Sequence, residues 1–326
     1  MALTIEDLLT SPDHYFHSFE DDGAVFVPMD RAAYQRSIFL DRRISPAADG
    51  AMTVPLSILP GEGLPAQRMG WIFHVAHCGS TLLARGLDAL AGDQAIVLRE
   101  PLALRQLGFD PDPARLSLAL ALLGKRYPGA GPSLIKENVP VNFLLDDIAG
   151  HDSQAPAIFL TMGLADYLHA ILRSDNHRTW MRGIVGRFAV QLGLDGPLTD
   201  GQAGAALWLG MMQRFVKAMA RMPNARSLDA EVFFADPAGT LAASARHFGL
   251  TAGESAVGDL VAGPLFNTYS KRPDHAFDNR DRLERRRMLS ASLAGEIAEA
   301  RDWLGQRGVD EAVLEADIAG AALLTA

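Results

Sequence analysis

The chain has 326 residues and a formal net charge of −9, since 30 lysines and arginines face 39 aspartates and glutamates. Hydrophobic residues make up 48% and charged residues 21% of the sequence, which excludes an intrinsically disordered chain. The acidic balance argues against nucleic-acid binding and against a polybasic membrane contact, because both require a cationic surface. The single cysteine, Cys78, excludes an intrachain disulfide, and apolar stretches fall short of a membrane span. We therefore expect a cytoplasmic protein.

Short apolar runs alternate with amphipathic segments from residue 71 onward, after an N-terminal stretch rich in aromatic residues, prolines and glycines. The runs predict strands over residues 71–75, 95–98, 133–136, 157–161 and 225–228. The segments between and after them predict helices over residues 80–87, 114–126, 141–148, 164–173, 199–222, 237–248 and 281–305. Such alternation predicts an α/β fold, a three-layer sandwich with a mostly parallel central sheet. We expect residues 1–70 to form an extension packed on a domain of residues 71–326.

The turn between the first predicted strand and helix is the most informative feature. Backbone N–H groups of such a turn, with the positive end of the helix dipole, form an anion site, and Gly79 permits close approach of a phosphate. The turn resembles a P-loop, but Ser80 follows Gly79 where a P-loop has lysine. The sequence therefore predicts a phosphate site unlike that of an ordinary ATPase or kinase, with a simple N-cap as the alternative.

This turn resembles the phosphosulfate-binding loop of the PAPS-dependent sulfotransferases, which use 3′-phosphoadenosine 5′-phosphosulfate (PAPS) as donor. The resemblance spans residues 70–250: Lys136 and Pro140 match a Lys-Thr-His-Leu-Pro segment, residues 157–172 resemble the 3′-phosphate element, and residues 228–250 resemble a later motif. It implies a P-loop-like sulfotransferase fold, PAPS and no metal. It places the phosphosulfate on residues His77, Cys78, Gly79, Ser80, Thr81 and Leu82.

The expected 3′-phosphate site departs from the family pattern. Met162 and Ala170 align with the arginine and serine that bind this phosphate in the family. Neither side chain carries a charge or a strong hydrogen-bond donor. The expected replacements are Arg173, one helical turn after Ala170, and the basic pair Lys271 and Arg272.

Sulfuryl transfer requires cations near the leaving group, because negative charge grows on the departing phosphate oxygen. Lys136 ends a predicted parallel strand, at the edge where α/β sheets bind ligands, and is the expected catalytic cation. His77 takes the basic position of the loop and is expected to contact the same anion. Asn138 stands where many family members have a catalytic histidine.

A base is needed if the acceptor is a hydroxyl. Glu100 is the first candidate because it ends a predicted strand at the same edge as Lys136, and some carbohydrate sulfotransferases use a glutamate there. Glu137 is the second candidate, since a neighbouring lysine ordinarily lowers a carboxyl pKa unless the carboxyl is desolvated. The structural alternative for Glu100 is a salt bridge with Arg99 or Arg105.

The expected activity is sulfuryl transfer from PAPS to a hydroxyl or amine of a small-molecule or peptide acceptor. Two alternatives stay open: an ATP- and Mg²⁺-dependent phosphotransferase with the same fold, and a non-catalytic nucleotide-binding protein. Residues 1–70 and 251–326 are expected to shape the acceptor side, because segments outside the common sheet usually set specificity. The arginine-rich run over 280–287 indicates an exposed helix face, with one arginine that reaches the ligand as the alternative.

Overall fold

A computed structural model describes residues 3–60, 64, 67–269, 272–276 and 278–324. Within these ranges the strands are β1 His14–Glu20, β2 Gly23–Pro28, β3 Met52–Pro55, β4 Gly70–His74, β5 Val97–Arg99, β6 Leu134–Lys136, β7 Ala157–Thr161, β8 Ala225–Asp229, β9 Thr268–Tyr269 and β10 Arg272–Ala276. The helices are α1 Ile5–Thr10, α2 Arg31–Arg36, α3 Ser80–Ala91, α4 Leu102–Phe109, α5 Pro113–Leu123, α6 Leu145–His151, α7 Leu164–Ile171, α8 Asp175–Arg187, α9 Asp200–Met219, α10 Ala230–Ala235, α11 Pro237–His247, α12 Glu254–Ala262, α13 Asn279–Ser292, α14 Ala294–Gly305 and α15 Glu311–Ala319. Three short 3-10 segments cover Leu56–Ile58, Val139–Leu144 and Pro264–Phe266.

The central sheet has five parallel strands in the order β5-β6-β4-β7-β8, flanked by helices. This confirms the predicted α/β fold with a parallel central sheet, and all five predicted strands are present. Both β4 and β7 are buried along their whole length, as the continuous apolar runs predict. Because the strands are parallel, the segments that follow β4, β5, β6 and β7 all leave the sheet at one edge.

The N-terminal segment forms an antiparallel sheet in the order β1-β2-β3, where the sequence predicted only an ordered extension. This sheet packs its β1 strand against α4 and α5. Beyond α2 the chain reaches the carboxyl end of β5: Leu40 N–H donates to the Arg99 carbonyl at 2.7 Å, and Leu102 N–H donates to the Leu40 carbonyl at 3.2 Å. The residues after Leu40 therefore lie beside the edge of the central sheet where ligands bind in α/β folds.

Two helical predictions differ from the structure. The segment predicted as one helix over 281–305 is two helices, α13 and α14, separated at Leu293. The segment predicted over 141–148 starts as a 3-10 helix that includes Pro140 and continues as α6, because proline fits only the start of a helix. In the described part of the chain no helix is both long enough and apolar enough to cross a membrane.

Candidate functional site

A cavity of about 1290 Å³ lies at the carboxyl edge of the parallel sheet. Its walls come from the loop after β4, the residues that follow β5 and β6, the segment of residues 39–43, and helices α7, α8 and α13. Eight of the residues singled out from the sequence line this one cavity: His77, Gly79, Ser80, Thr81, Leu82, Glu100, Lys136 and Arg173. Residues that are distant in the sequence thus share one space.

The loop after β4 holds an unusual backbone. Ala76, His77 and Gly79 have φ angles of 74°, 53° and 88°, in the left-handed region that only glycine adopts freely. Gly79 is the N-cap of α3 and no side chain caps it. The first intrahelical bond runs from Leu83 N–H to the Gly79 carbonyl at 3.0 Å, so the three preceding N–H groups of α3 have no intrahelical acceptor. The helix N-terminus therefore opens toward the cavity, as an anion site requires.

A buried polar network supports this loop from below. The Nδ1 atom of His74 accepts the Ala76 N–H at 2.9 Å, so the proton of the neutral ring lies on Nε2, which donates to the Glu137 carbonyl at 3.0 Å. The His74 N–H donates to Glu137 Oε1 at 3.1 Å, and Asn142 Nδ2 donates to the His74 carbonyl at 3.1 Å. These bonds hold the end of β4 and the strained residues that follow it.

Glu137, the second candidate base, belongs to this network and not to the described wall of the cavity. Its side chain is fully buried. Burial raises its carboxyl pKa well above the ordinary value, and the opposing charge of Lys136 does not compensate. Desolvation, the exception to the lowering expected from the neighbouring lysine, therefore dominates. The carboxyl group belongs to the buried scaffold beneath the loop.

Lys136 and Glu100 form an ion pair inside the cavity, with 2.5 Å between Nζ and Oε1. The Lys136 side chain is 2% exposed and that of Glu100 is 16% exposed. Arg99 turns away into the protein, where it pairs with Asp88 of α3 at 2.6 Å. The predicted alternative that Glu100 pairs with Arg99 or Arg105 is thus wrong. Glu100 has a φ of 56°, so the backbone itself is strained where the carboxylate enters the cavity.

The N-terminal segment adds charged residues that the sequence analysis did not single out. The Arg43 guanidinium lies 2.5 Å from Asp41 Oδ2, 4.0 Å from Glu100 Oε2 and 3.9 Å above the ring of Phe39. Burial raises the pKa of Asp41, but hydrogen bonds from Arg43 outweigh it, so the pKa lies below its ordinary value. The adjacent pair Arg42-Arg43 was the signal in the sequence, but only the chain path beside β5 brings it to the cavity.

His77 and Arg173 meet through a third residue, His177 of α8. The ring centroids of His77 and His177 are 4.7 Å apart, and the edge of Trp180 lies against His77 at 5.5 Å. Arg173 donates from Nη2 to His177 Nε2 at 2.7 Å. The structure therefore brings together the two predicted anion ligands from β4–α3 and the end of α7. Both histidines, Trp180 and Arg173 line the cavity.

Helix α13 lines the cavity beside α7, so several arginines of the run face the cavity where the sequence indicated an exposed face with one arginine reaching the ligand. Arg286 Nε lies 2.6 Å from Asp166 Oδ1 of α7, and Arg282 Nη1 lies 2.5 Å from Glu231 Oε1 of α10. Arg282, Arg286 and Leu289 are half-buried and line the cavity, whereas Leu283 and Met288 on the other faces are exposed. The signal in the sequence was the spacing of residues 282, 286 and 289, which places them on one helical face.

Four further positions from the sequence analysis are Cys78, Met162, Lys271 and Arg272. The Cys78 thiol is buried against the Leu160 carbonyl at 3.8 Å, and burial raises its pKa to about 11, so its contribution to an anion site is limited to the backbone. Lys271 lies outside the described residues, and for Arg272 only the backbone of β10 is described. Met162 lines the cavity and its carbonyl accepts the indole N–H of the buried Trp208 at 2.9 Å. In the described ranges no group of histidine, cysteine and acidic side chains has a metal-binding arrangement.

Two solved structures are similar in fold. A sulfotransferase domain from the curacin biosynthetic pathway is 11% identical, with a TM-score of 0.42, and the match covers 76% of this chain and 99% of that one. A sulfotransferase from Alicyclobacillus acidocaldarius is 11% identical, with a TM-score of 0.39, and the match covers 77% and 100%. No known family profile and no curated protein matches the sequence. At such values no residue role and no activity is transferred from either structure.

Proposed function

We propose that the chain transfers a sulfuryl group from PAPS to a hydroxyl or amine of a small-molecule or peptide acceptor. The observation that carries this proposal is the shared cavity: the uncapped start of α3 opens on the same space as the Lys136–Glu100 ion pair. Backbone N–H groups at a helix start bind phosphate and sulfate oxygens. An anionic group bound there is bordered by a buried cation and by a carboxylate.

Each residue then has a defined task. The N–H groups of the loop, with the Ser80 and Thr81 hydroxyls, hold the phosphosulfate, and His77 contacts it from the loop's start. Glu100 accepts the proton that the acceptor hydroxyl loses as its oxygen bonds to sulfur. Lys136 and the loop stabilise the negative charge that develops on the departing 5′-phosphate oxygen as its bond to sulfur breaks. Adenosine 3′,5′-bisphosphate is one product, and the other is a sulfate ester from a hydroxyl acceptor or a sulfamate from an amine.

Recognition of the 3′-phosphate falls to cations other than those of the family pattern. Met162 and Ala170 line the cavity and are uncharged. Arg173 follows them at the end of α7, and Arg285 of α13 lines the same space. We assign the phosphate to these two arginines, with Lys271 and Arg272 as additional candidates from the sequence. Arg282 and Arg286 pair with Glu231 and Asp166 and connect α13 to α10 and α7.

Calorimetry separates the proposal from its alternatives. Adenosine 3′,5′-bisphosphate is expected to bind at least about tenfold more tightly than adenosine 5′-phosphate, which corresponds to about 1.4 kcal/mol or more for the additional phosphate. Lys136→Met is expected to abolish sulfuryl transfer from labelled PAPS. Lys217→Met is the matched control, because Lys217 also pairs with an acid, Asp146 at 2.6 Å, but on the exposed surface of α9.

The other outcomes select the other functions. Consumption of ATP that depends on Mg²⁺, without binding of the bisphosphate, indicates a phosphotransferase. Binding of the bisphosphate without turnover over a broad set of phenols, alcohols and amines indicates a non-catalytic nucleotide-binding protein. If the chain binds neither adenosine 3′,5′-bisphosphate nor ATP, the proposal is overturned.

A further inference from the structure

One wall of the cavity carries an excess of positive charge next to Glu100. We call Arg42, Arg43 and Arg105 the arginine wall; all three line the cavity, on the side of β5 and α4. Arg43 is paired with Asp41. Neither the Arg42 nor the Arg105 side chain donates a hydrogen bond to, or forms an ion pair with, any residue that the structure describes. The chain as a whole has a net charge of −9, so this local cationic surface differs in sign from the net charge.

The arginine wall is separate from the arginines of α13. The sheet order β5-β6-β4-β7-β8 places the loop after β4 between the two sides. Arg43 lies 4.0 Å from Glu100, which follows β5, whereas Arg286 contacts Asp166, which follows β7. The arginine wall and the arginines of α13 therefore lie on opposite sides of the loop after β4. The side that holds Glu100 is the side from which an acceptor reaches the base.

Aromatic and aliphatic side chains accompany these arginines. The Arg43 guanidinium lies 3.9 Å above the Phe39 ring, and the Arg105 guanidinium lies 5.8 Å from the centre of Phe109. Both rings line the cavity, together with Leu102. This combination of flat apolar surface and guanidinium groups fits a ligand with an aromatic body and an acidic substituent, since arginine pairs with carboxylate or phosphate oxygens in two parallel hydrogen bonds.

We propose that the acceptor is an anionic aromatic or similarly apolar compound, whose carboxylate or phosphate binds Arg42 and Arg105 while its hydroxyl lies at Glu100. The assignment of this end of the cavity to the acceptor rests on the proposed sulfuryl transfer. Binding of the anion itself does not, because it requires only the arginines and the neighbouring rings and no nucleotide. This independence allows the two proposals to be tested separately.

The experiment is calorimetric titration of the full chain, without nucleotide, with matched phenols. The probes are 4-hydroxybenzoate, 4-hydroxyphenylacetate and 4-hydroxyphenyl phosphate, with methyl 4-hydroxybenzoate as the uncharged partner of the first. The acids are expected to bind at least about tenfold more tightly than the ester. Comparison of the carboxylates with the phosphate identifies the acidic group that the site prefers.

The double variant Arg42→Gln/Arg105→Gln is expected to lower the affinity for the acids by about tenfold or more, and to affect the ester less. Arg246→Gln is the control for general charge effects, since it removes one positive charge from an exposed position of α11 that does not line the cavity. Thermal unfolding of all variants checks that the fold is intact. The control variant is expected to bind the acids more tightly than the ester, as the wild type does.

An ester that binds as tightly as its acid, acids that bind equally to the double variant, or no binding by any acid overturns the inference. Transfer of sulfate to neutral acceptors alone, with normal nucleotide binding, overturns the inference and leaves the proposed function intact. Binding of acids that depends on Arg42 and Arg105, in a chain that binds no adenosine bisphosphate, supports the anion site and overturns the transferase.

Discussion

Lys136 and Glu100 are joined by a 2.5 Å ion pair across the ends of two neighbouring parallel strands. The register of β5 and β6 pairs Arg99 with Lys136, and the Glu100 N–H donates to the Lys136 carbonyl at 2.7 Å. The sheet thus fixes the backbones from which both side chains arise. The pair is a property of strand register as well as of charge.

Loss of Glu100 and loss of Lys136 are expected to lower the stability of the protein by different amounts. Lys136 is almost fully buried, so Glu100→Gln leaves a buried cation without its partner and lowers the free energy of unfolding by about 3–5 kcal/mol. Lys136→Met costs less, because Glu100 keeps access to water and lies 4.0 Å from Arg43. Urea denaturation of both variants and of the double variant measures the coupling. A double variant no more stable than Glu100→Gln contradicts this account.

Gly79→Ala is expected to weaken nucleotide binding. A Cβ at Gly79 lies 2.8 Å from Cζ of Phe234, and the φ of 88° costs about 1–2 kcal/mol for a non-glycine residue. Gly249→Ala is the matched control, because Gly249 has a φ of 73° but no atom within 4 Å of its added Cβ. We expect both variants to lose stability, and only Gly79→Ala to lose affinity for adenosine 3′,5′-bisphosphate, by about tenfold. Equal affinities in calorimetry refute the role of the loop.

Glu137→Gln is expected to keep the fold and to change its pH dependence. The folded-state pKa of Glu137 is raised from the ordinary 4.5, so above that pH the unfolded chain releases a proton that the folded chain retains. The free energy of unfolding of the wild type therefore falls as pH rises from about 4.5, relative to the glutamine variant.

The difference between wild type and variant is measured by denaturation at pH 4.5, 6 and 8. Glu254→Gln is the control, since it makes the same substitution at an exposed position of α12, outside the buried network. A stability difference between wild type and Glu137→Gln that is independent of pH contradicts a raised pKa of Glu137.

Lys125→Met addresses the contact between the N-terminal segment and the core. The buried Nζ atom donates to the Leu8 carbonyl at 2.9 Å and to the His14 carbonyl, and burial lowers the pKa of Lys125 from 10.5 to about 7. Between these two pH values the unfolded chain binds a proton that the folded chain lacks, so stability rises with pH. The methionine variant is expected to lose this rise. The exposed Lys217→Met is expected to retain it, and an unchanged slope in Lys125→Met would falsify the assignment.

Much of the fold follows from local sequence patterns. The apolar run of β7 predicted its bounds correctly, and the strand-turn-helix around Gly79 was evident from its composition. The positions of Lys136 and Glu100 at strand ends predicted that they lie at one edge. Their pairing was not predictable, because it depends on the order of β5 and β6 in the sheet.

The remainder of the site depends on contacts between distant segments. Arg43 reaches Glu100 because Leu40 bonds to the end of β5, and no pattern within residues 1–70 indicates that path. Glu137 shows the same limit for electrostatics: the sequence shows its charged neighbour, whereas its pKa is dominated by burial. Register, chain path and desolvation are all determined by tertiary structure.

The two backbone hydrogen bonds of Leu40, to Arg99 and Leu102, attach the N-terminal segment to the edge of the central sheet that borders the cavity. A truncated protein that starts at β4 lacks the Phe39 ring, the Asp41 carboxylate and the guanidinium groups of Arg42 and Arg43. The truncation also exposes the outer edge of β5, and exposed strand edges are prone to self-association. For this chain, the smallest fragment worth purifying includes its amino-terminal sheet.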